Sequence, residues 1–223
     1  WRLVWALNTL KNEKDEVLID GFYDDVRKPS EKEIAFAKKI PFEEEEEKKD
    51  LGLKSFLHGL SGLDAVKALL FQPTCTINGL LAGYTASGSK TVLPNKAMVK
   101  LDFRLVPEQR SSDVFDKLVR HLRMHGFGDI EVVQHGSTEP TRTPPSEEFV
   151  QTVIKAAEKV YGKKAVVYPT SPASGPMHLF RNYLGFPVVS AGCAYEDSRG
   201  HAPNENITVK GFNEGIKFMA TII

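Results

Sequence analysis

Apolar residues recur along this chain in blocks whose period shifts from helical to strand-like and back. Leu3, Leu7 and Leu10 share one helical face and predict a helix over residues 1–10, which stops at the polar stretch Lys11-Asn12-Glu13-Lys14-Asp15. Ser30 followed by Glu33 is a capping box, in which a hydroxyl and a carboxylate satisfy amides that the first helical turn leaves bare. Ile34 and Ala37 continue that helix, and Pro41 interrupts it. Glu43 to Glu47, followed by Lys48 and Lys49, has the Glu-to-Lys spacing of an exposed helix. A solvated face explains this acidic run better than cation binding. Leu63 to Phe71, closed by Pro73, is one more short helix.

From Thr74 the texture changes. Thr76 and Ile77, with glycines at 79, 83 and 88, predict a strand entering a loop. Lys96 to Pro107 then alternates strictly, with Ala97, Val99, Leu101, Phe103 and Leu105 on one face and Met98, Lys100, Asp102 and Arg104 on the other. Ser111 or Ser112 can cap the next helix, whose apolar stripe is Phe115, Leu118, Val119 and Leu122; Gly126 and Gly128 end it, and Ile130 to Val133 extends as a strand. Strand, strand, helix, strand is most of a split βαβ sandwich, with residues 1–10 as its other helix and one leading strand missing.

Thr141 to Pro145 reads as a hinge, because its prolines disfavour helix. A capped helix follows, with Phe149, Val153, Ala157 and Val160 inward and Gly162 as its stop. Then come strand Ala165 to Tyr168, a helix from about Ser174, strand Pro187 to Ala191, a polar loop with His201, and a terminal helix with the stripe Val209, Phe212, Ile216 and Met219. Alternating strands and helices imply a piece of an α/β sheet. Two strands cannot make a sheet buried on both faces, so further strands are expected from elsewhere.

At 223 residues, with 41% hydrophobic and 26% charged, the chain is long enough for a real core in one or two domains and reads as a soluble globular protein. Lys plus Arg number 29 and so do Asp plus Glu, and no basic face with interleaved aromatics appears, which argues against nucleic acid as a partner. No apolar run approaches a membrane span and no secretion signal opens the chain, so a cytoplasmic location is the default expectation. Two cysteines, Cys75 and Cys193, are too few for a disulfide framework and read as reduced, buried thiols. Opening inside a helical face, with neither an initiator Met nor a cap before it, reads as the later part of a longer chain.

Candidate chemistry is concentrated in a few side chains. Six histidines are present, and His58 has no partner pattern. His121 and His125, at i and i+4, could present two nitrogens to a metal, but the carboxylate pattern of a zinc-protease helix is missing and an exposed pair is expected. Ser174 lies in Pro172-Ala173-Ser174-Gly175-Pro176, which lacks the Gly-x-Ser-x-Gly elbow of a serine hydrolase. His201 sits in the tight polar loop Gly200-His201-Ala202-Pro203-Asn204-Glu205 just after an apolar strand, where open α/β sheets bind ligands.

Three motifs then act together. Gly88-Ser89-Lys90-Thr91-Val92-Leu93-Pro94, Asp102-Phe103-Arg104-Leu105-Val106-Pro107 and the His201 loop, in this order and spacing, resemble the carnosinase, cytosolic dipeptidase and aminoacylase group of dizinc metallopeptidases over the length of the chain. The resemblance implies an α/β fold class: an α+β two-layer dimerisation (lid) domain over residues 1–141, lacking its first strand, followed by the C-terminal part of an incomplete α/β catalytic domain over 142–223.

It also implies a homodimer paired through the lids, and cleavage of dipeptides or N-acyl amino acids with a free carboxylate by water held between two divalent metal ions, zinc first, with manganese or cobalt as alternatives. His201 resembles the last metal ligand, Arg104 the fork that grips the substrate carboxylate, and Thr91, His135 and Ser174 further substrate-contacting positions, Thr91 reaching the partner subunit's site. The bland reading of Arg104 is an ion pair with Asp102 or another lid carboxylate. Thr91 could equally be a turn residue, His135 a strand-end surface residue and Ser174 a helix cap. The family's other motifs, the His-x-Asp pair, the bridging Asp, the Glu-Glu pair with the general base, and the lid His, are absent here. These 223 residues alone are therefore expected to be inactive and to bind no metal. The competing reading is a non-catalytic dimerisation or small-molecule-binding module.

Overall fold

The computed structural model describes residues 1–223, the side chain of Glu196 excepted. Internal packing divides the chain into two units, one of residues 1–34, 42–140 and 170–175, the other of 35–41, 141–169 and 176–223.

In the first unit the apolar face at the start of the chain forms α1 (Arg2–Leu7), ending at Asn8. The capping box closes as expected at the start of α2 (Glu31–Ala37). The Glu33 Oε2 accepts from the Ser30 amide at 2.7 Å, the Glu33 amide donates to Ser30 Oγ at 3.3 Å, and Arg27 forks onto both Glu33 oxygens. The acidic run becomes α3 (Glu44–Asp50), where Lys48 pairs with Glu44 and Glu45, both at 2.8 Å. α4 (Gly62–Phe71) follows.

β1 (Thr74–Ala82) and β2 (Ala97–Arg104) pair antiparallel, with Thr74 opposite Arg104 at one end and Ala82 opposite Ala97 at the other. The register slips between Ile77 and Gly79, a bulge that bends the ribbon. α5 (Ser111–Met124) then lays Val114, Leu118 and Leu122 against Ala6, Leu10, Ile19, Phe22 and Cys75, forming the unit's core. Burying such side chains is worth about 1.5–3 kcal/mol each, which fixes β2 and the residues it carries.

Two expectations for α5 change. No serine caps it: Ser111 is its first residue and bonds instead, through its amide and hydroxyl, to Glu139. His121 is not exposed but one of the most buried side chains of the chain, its ring stacked on that of exposed His125 with centroids 4.1 Å apart. The turn after α1 covers it, with Thr9 Oγ1 at 3.1 Å from Nε2.

The second unit has α6 (Glu148–Tyr161) and α7 (Val209–Ile222), joined through Val153, Ala156 and Phe218, with Val160, Tyr161, Val189 and Ile222 packed around them. Gly162, at φ +65°, stops α6 in the left-handed conformation that suits glycine. The faces are shifted from expectation: Val150, Val153 and Ala156 are buried while Phe149 is exposed. The α7 stripe Val209, Phe212, Ile216 and Met219 is exposed throughout.

Three predicted strands do not form. Ile130 to Val133, Ala165 to Tyr168 and Pro187 to Ala191 carry no ladder of backbone hydrogen bonds, and β1 with β2 is the one sheet among the described residues. Ile130, Val132 and Val189 nevertheless pack on their units' cores, so the first and third of these segments are partly buried without pairing, whereas Val166 and Tyr168 of the second are exposed. The helix expected from about Ser174 starts a few residues later: residues 177–184 are helical, with a wider π-helical stretch at Leu179–Tyr183.

Candidate functional site

Arg104 is the last residue of β2, on the face that alternation also gives to Asp102. Both reach the same side. Asp102 Oδ2 accepts from Arg104 Nε at 2.9 Å, and Ser174 Oγ accepts from Arg104 Nη1 at 2.8 Å. The ion pair with Asp102, the bland reading of Arg104, is thus real, and it coexists with a contact to a second candidate residue seventy positions away. About half of the Arg104 side chain stays exposed, and among the described residues nothing accepts from Nη2. A guanidinium held on two of its nitrogens with the third free is a ready receptor for a carboxylate.

Thr91 and His135 are exposed in the first unit, Thr91 on the connection between β1 and β2 and His135 in the extended stretch after α5. Among the described residues neither makes a side-chain hydrogen bond, so the structure joins Ser174 to Arg104 but leaves these two apart.

His201 is in the second unit, in the loop before α7, exposed rather than packed in an apolar interior. Its backbone is left-handed at φ +63°, as are those of Arg199 and Asn204 at +54° and +66°. Three non-glycine residues in that region within six positions cost about 1 kcal/mol or more each, strain of the kind that collects at functional loops. The His201 amide donates to Glu205 Oε2 at 3.3 Å.

His58, without a partner in the sequence pattern, bonds through Nε2 to Asp15 Oδ2 at 2.7 Å. Lys11 and His58 together hold the Asp15 carboxyl below its usual range. Spacing could not reveal a pair separated by forty-three positions. Cys75 is buried, which pushes its thiol up to about 11, whereas Cys193 is only partly buried.

The model of peptidase family M20/M25/M40 matches residues 37–223. The chain belongs to that family. It is 28% identical to the Cys-Gly metallodipeptidase of Saccharomyces cerevisiae, over 99% of this chain and 47% of that protein. It is 24% identical to the human Beta-Ala-His dipeptidase, over 98% of this chain and 45% of that protein. Among solved structures, the M20 family metallo-carboxypeptidase of Sulfolobus solfataricus superposes with a TM-score of 0.93 at 40% identity, covering 99% of this chain and 51% of that one. This chain spans about half the length of the curated relatives it matches.

M20 peptidases named for their metal raise the question of where a metal would sit. Among the described residues no three His, Cys, Asp or Glu side chains converge as a ligand set. His201 offers one imidazole, where a structural or catalytic zinc needs at least three protein donors. The residues present do not by themselves fit the ion. No helix among the described residues is long and apolar enough to cross a membrane.

Proposed function

We propose that these 223 residues are the dimerisation (lid) domain, residues 1–141, and the C-terminal part of the catalytic domain, 142–223, of a metal-dependent hydrolase. The whole protein cleaves the amide bond of dipeptides or N-acyl amino acids that carry a free carboxylate. The observation that carries this reading is the meeting of Arg104 and Ser174 at 2.8 Å, a charged fork and a hydroxyl side by side with Nη2 still open. Family membership supports hydrolysis, and the activities for which the relatives are named, Cys-Gly and Beta-Ala-His dipeptidases, support small peptides.

In this reading a pair of divalent ions, zinc first, supplies the activated water, with all donors except His201 coming from outside residues 1–223. Within this chain, Arg104 binds and orients the substrate carboxylate, and Ser174 fixes the guanidinium and borders the bound ligand. Thr91 and His135 are the remaining proposed substrate contacts, Thr91 acting across the dimer. Pairing of two lids is supported by exposed Ile77, Leu80, Leu81 and Met98 on the β1–β2 ribbon.

The test is hydrolysis by the full-length protein of a panel of dipeptides and N-acyl amino acids before and after exhaustive chelation. Activity is expected to vanish on chelation and return with zinc, and His201→Ala is expected to lower kcat/KM by about a hundredfold or more. Full activity after chelation would overturn the reading. The lone imidazole favours a second reading, a non-catalytic dimerisation or small-molecule-binding module. A full-length protein that binds such ligands and turns none over would establish it.

A further inference from the structure

We infer that Asp102 is a positioning residue for substrate recognition, fixing the Arg104 guanidinium so that its outer nitrogens face an incoming carboxylate. This rests on the reading of Arg104 as the carboxylate receptor. Asp102 itself touches no substrate.

The argument begins with strand geometry. Residues i and i+2 of a strand lie on one face, so Asp102 and Arg104 are neighbours through the backbone of β2 alone, before any ligand arrives. Asp102 Oδ2 takes the Nε hydrogen at 2.9 Å, the N–H nearest the aliphatic stem. A bond at that point fixes the rotation of the planar group about its stem. Ser174 Oγ takes one Nη1 hydrogen at 2.8 Å and fixes its tilt. What remains is Nη2 with both N–H groups and the second N–H of Nη1, the set that can meet two carboxylate oxygens.

Asp102 also closes off the wrong approach. A ligand carboxylate could otherwise bind the Nε edge, in a different register relative to the rest of the substrate. With Asp102 there, that edge is filled by an anion and repels another. The device selects both for a carboxylate and for one pose of it.

Two effects of removing Asp102 oppose each other. Losing its negative charge would strengthen the pull of Arg104 on an anion, while losing its hydrogen bond would free a long side chain that must then be ordered on binding. The Arg104 and Asp102 side chains are about 55% and 40% exposed, so water and salt screen the charge effect, and they do not screen the ordering cost. Positioning therefore wins, and the variant binds substrate more weakly.

The experiment compares, in the full-length protein, a dipeptide with its C-terminal amide for wild type, Asp102→Ala, Asp102→Asn and Arg104→Ala. Asp102→Ala is expected to raise KM for the free-carboxylate peptide about fivefold, with the loss in KM rather than kcat, and to narrow the preference for acid over amide. Asp102→Asn keeps an acceptor oxygen in place and is expected to recover part of that loss. Tighter binding of the acid by Asp102→Ala, or equal losses on acid and amide, would overturn the positioning role. If Arg104→Ala keeps the full preference for the acid, the carboxylate-receptor reading itself fails; if Arg104→Ala abolishes it and Asp102→Ala leaves it intact, only the role of Asp102 fails.

Discussion

A single buried imidazole shows how far one residue can tie local chemistry to stability. Thr9 Oγ1 donates its own hydrogen to the Ala6 carbonyl at 2.7 Å, so toward His121 it can only accept. Nε2 of His121 therefore carries the hydrogen, and Nδ1 is a bare lone pair, buried without a donor. Protonating Nδ1 would bury a cation with no acceptor beside the His125 ring, and only Asp20 and Thr9 favour the charged form. Burial first, and His125 second, lower the His121 pKa below 6.5. A histidine whose native pKa is below its unfolded value binds fewer protons folded than unfolded. Its stabilising contribution is complete above about 6.5 and is lost as pH falls from there toward the native value. Urea midpoints at pH 7.5 and 5.0 are expected to drop more for wild type than for His121→Gln, which cannot titrate, with a difference in slope of at most about 1.4 kcal/mol per pH unit. Parallel pH profiles for the two proteins would remove His121 as the cause.

Elements were legible in the sequence wherever the signal is local. The Ser30–Glu33 box and the Glu44–Lys48 pairing are decided by residues three and four apart, and both form. The box also makes a quantitative test: Ser30→Ala should cost about 1 kcal/mol in chemical denaturation, and Ser30→Thr much less, since a hydroxyl remains to accept from the Glu33 amide. An equal loss from both would point to packing and not the cap. Periodicity says which residues share a face but not what that face meets. It placed Arg104 and Asp102 together on β2 correctly, yet it set His121 among exposed residues, since nothing nearby in sequence announces that Thr9 lies over it. The same limit explains Ile130 to Val133 and Pro187 to Ala191. Their apolar residues leave them extended and partly buried, but a strand also needs a ladder partner, and no other described segment supplies one. The candidate site divides likewise: motifs named Arg104 and Ser174 singly, and only the fold shows that they touch.

At the scale of the whole molecule the decisive feature is surface that water should not see. Val209, Phe212, Ile216 and Met219 are spaced three and four apart, so they line one face of α7, and they are 79%, 54%, 54% and 47% exposed. Phe218 has the opposite role, buried among the residues of α6 and Val189, and Gly215 is buried against Cys193. An amphipathic helix whose larger apolar face is outward is satisfied when something covers it, and each such side chain, already partly covered, gains part of the about 1.5–3 kcal/mol that full burial is worth. The proposed remainder of the catalytic domain would be that cover in the full-length protein. On its own, the 223-residue chain is expected to associate beyond a dimer, because the lid ribbon and α7 offer two separate apolar surfaces. Light scattering should show heterogeneous mass for the unaltered chain and a shift toward a dimer for Phe212→Lys with Ile216→Lys, substitutions at exposed sites that leave the α6–α7 core intact. A monodisperse monomer of the unaltered chain would mean that neither surface drives association, and both the lid-pairing proposal and the assignment of α7 to an incomplete domain would lose their physical support.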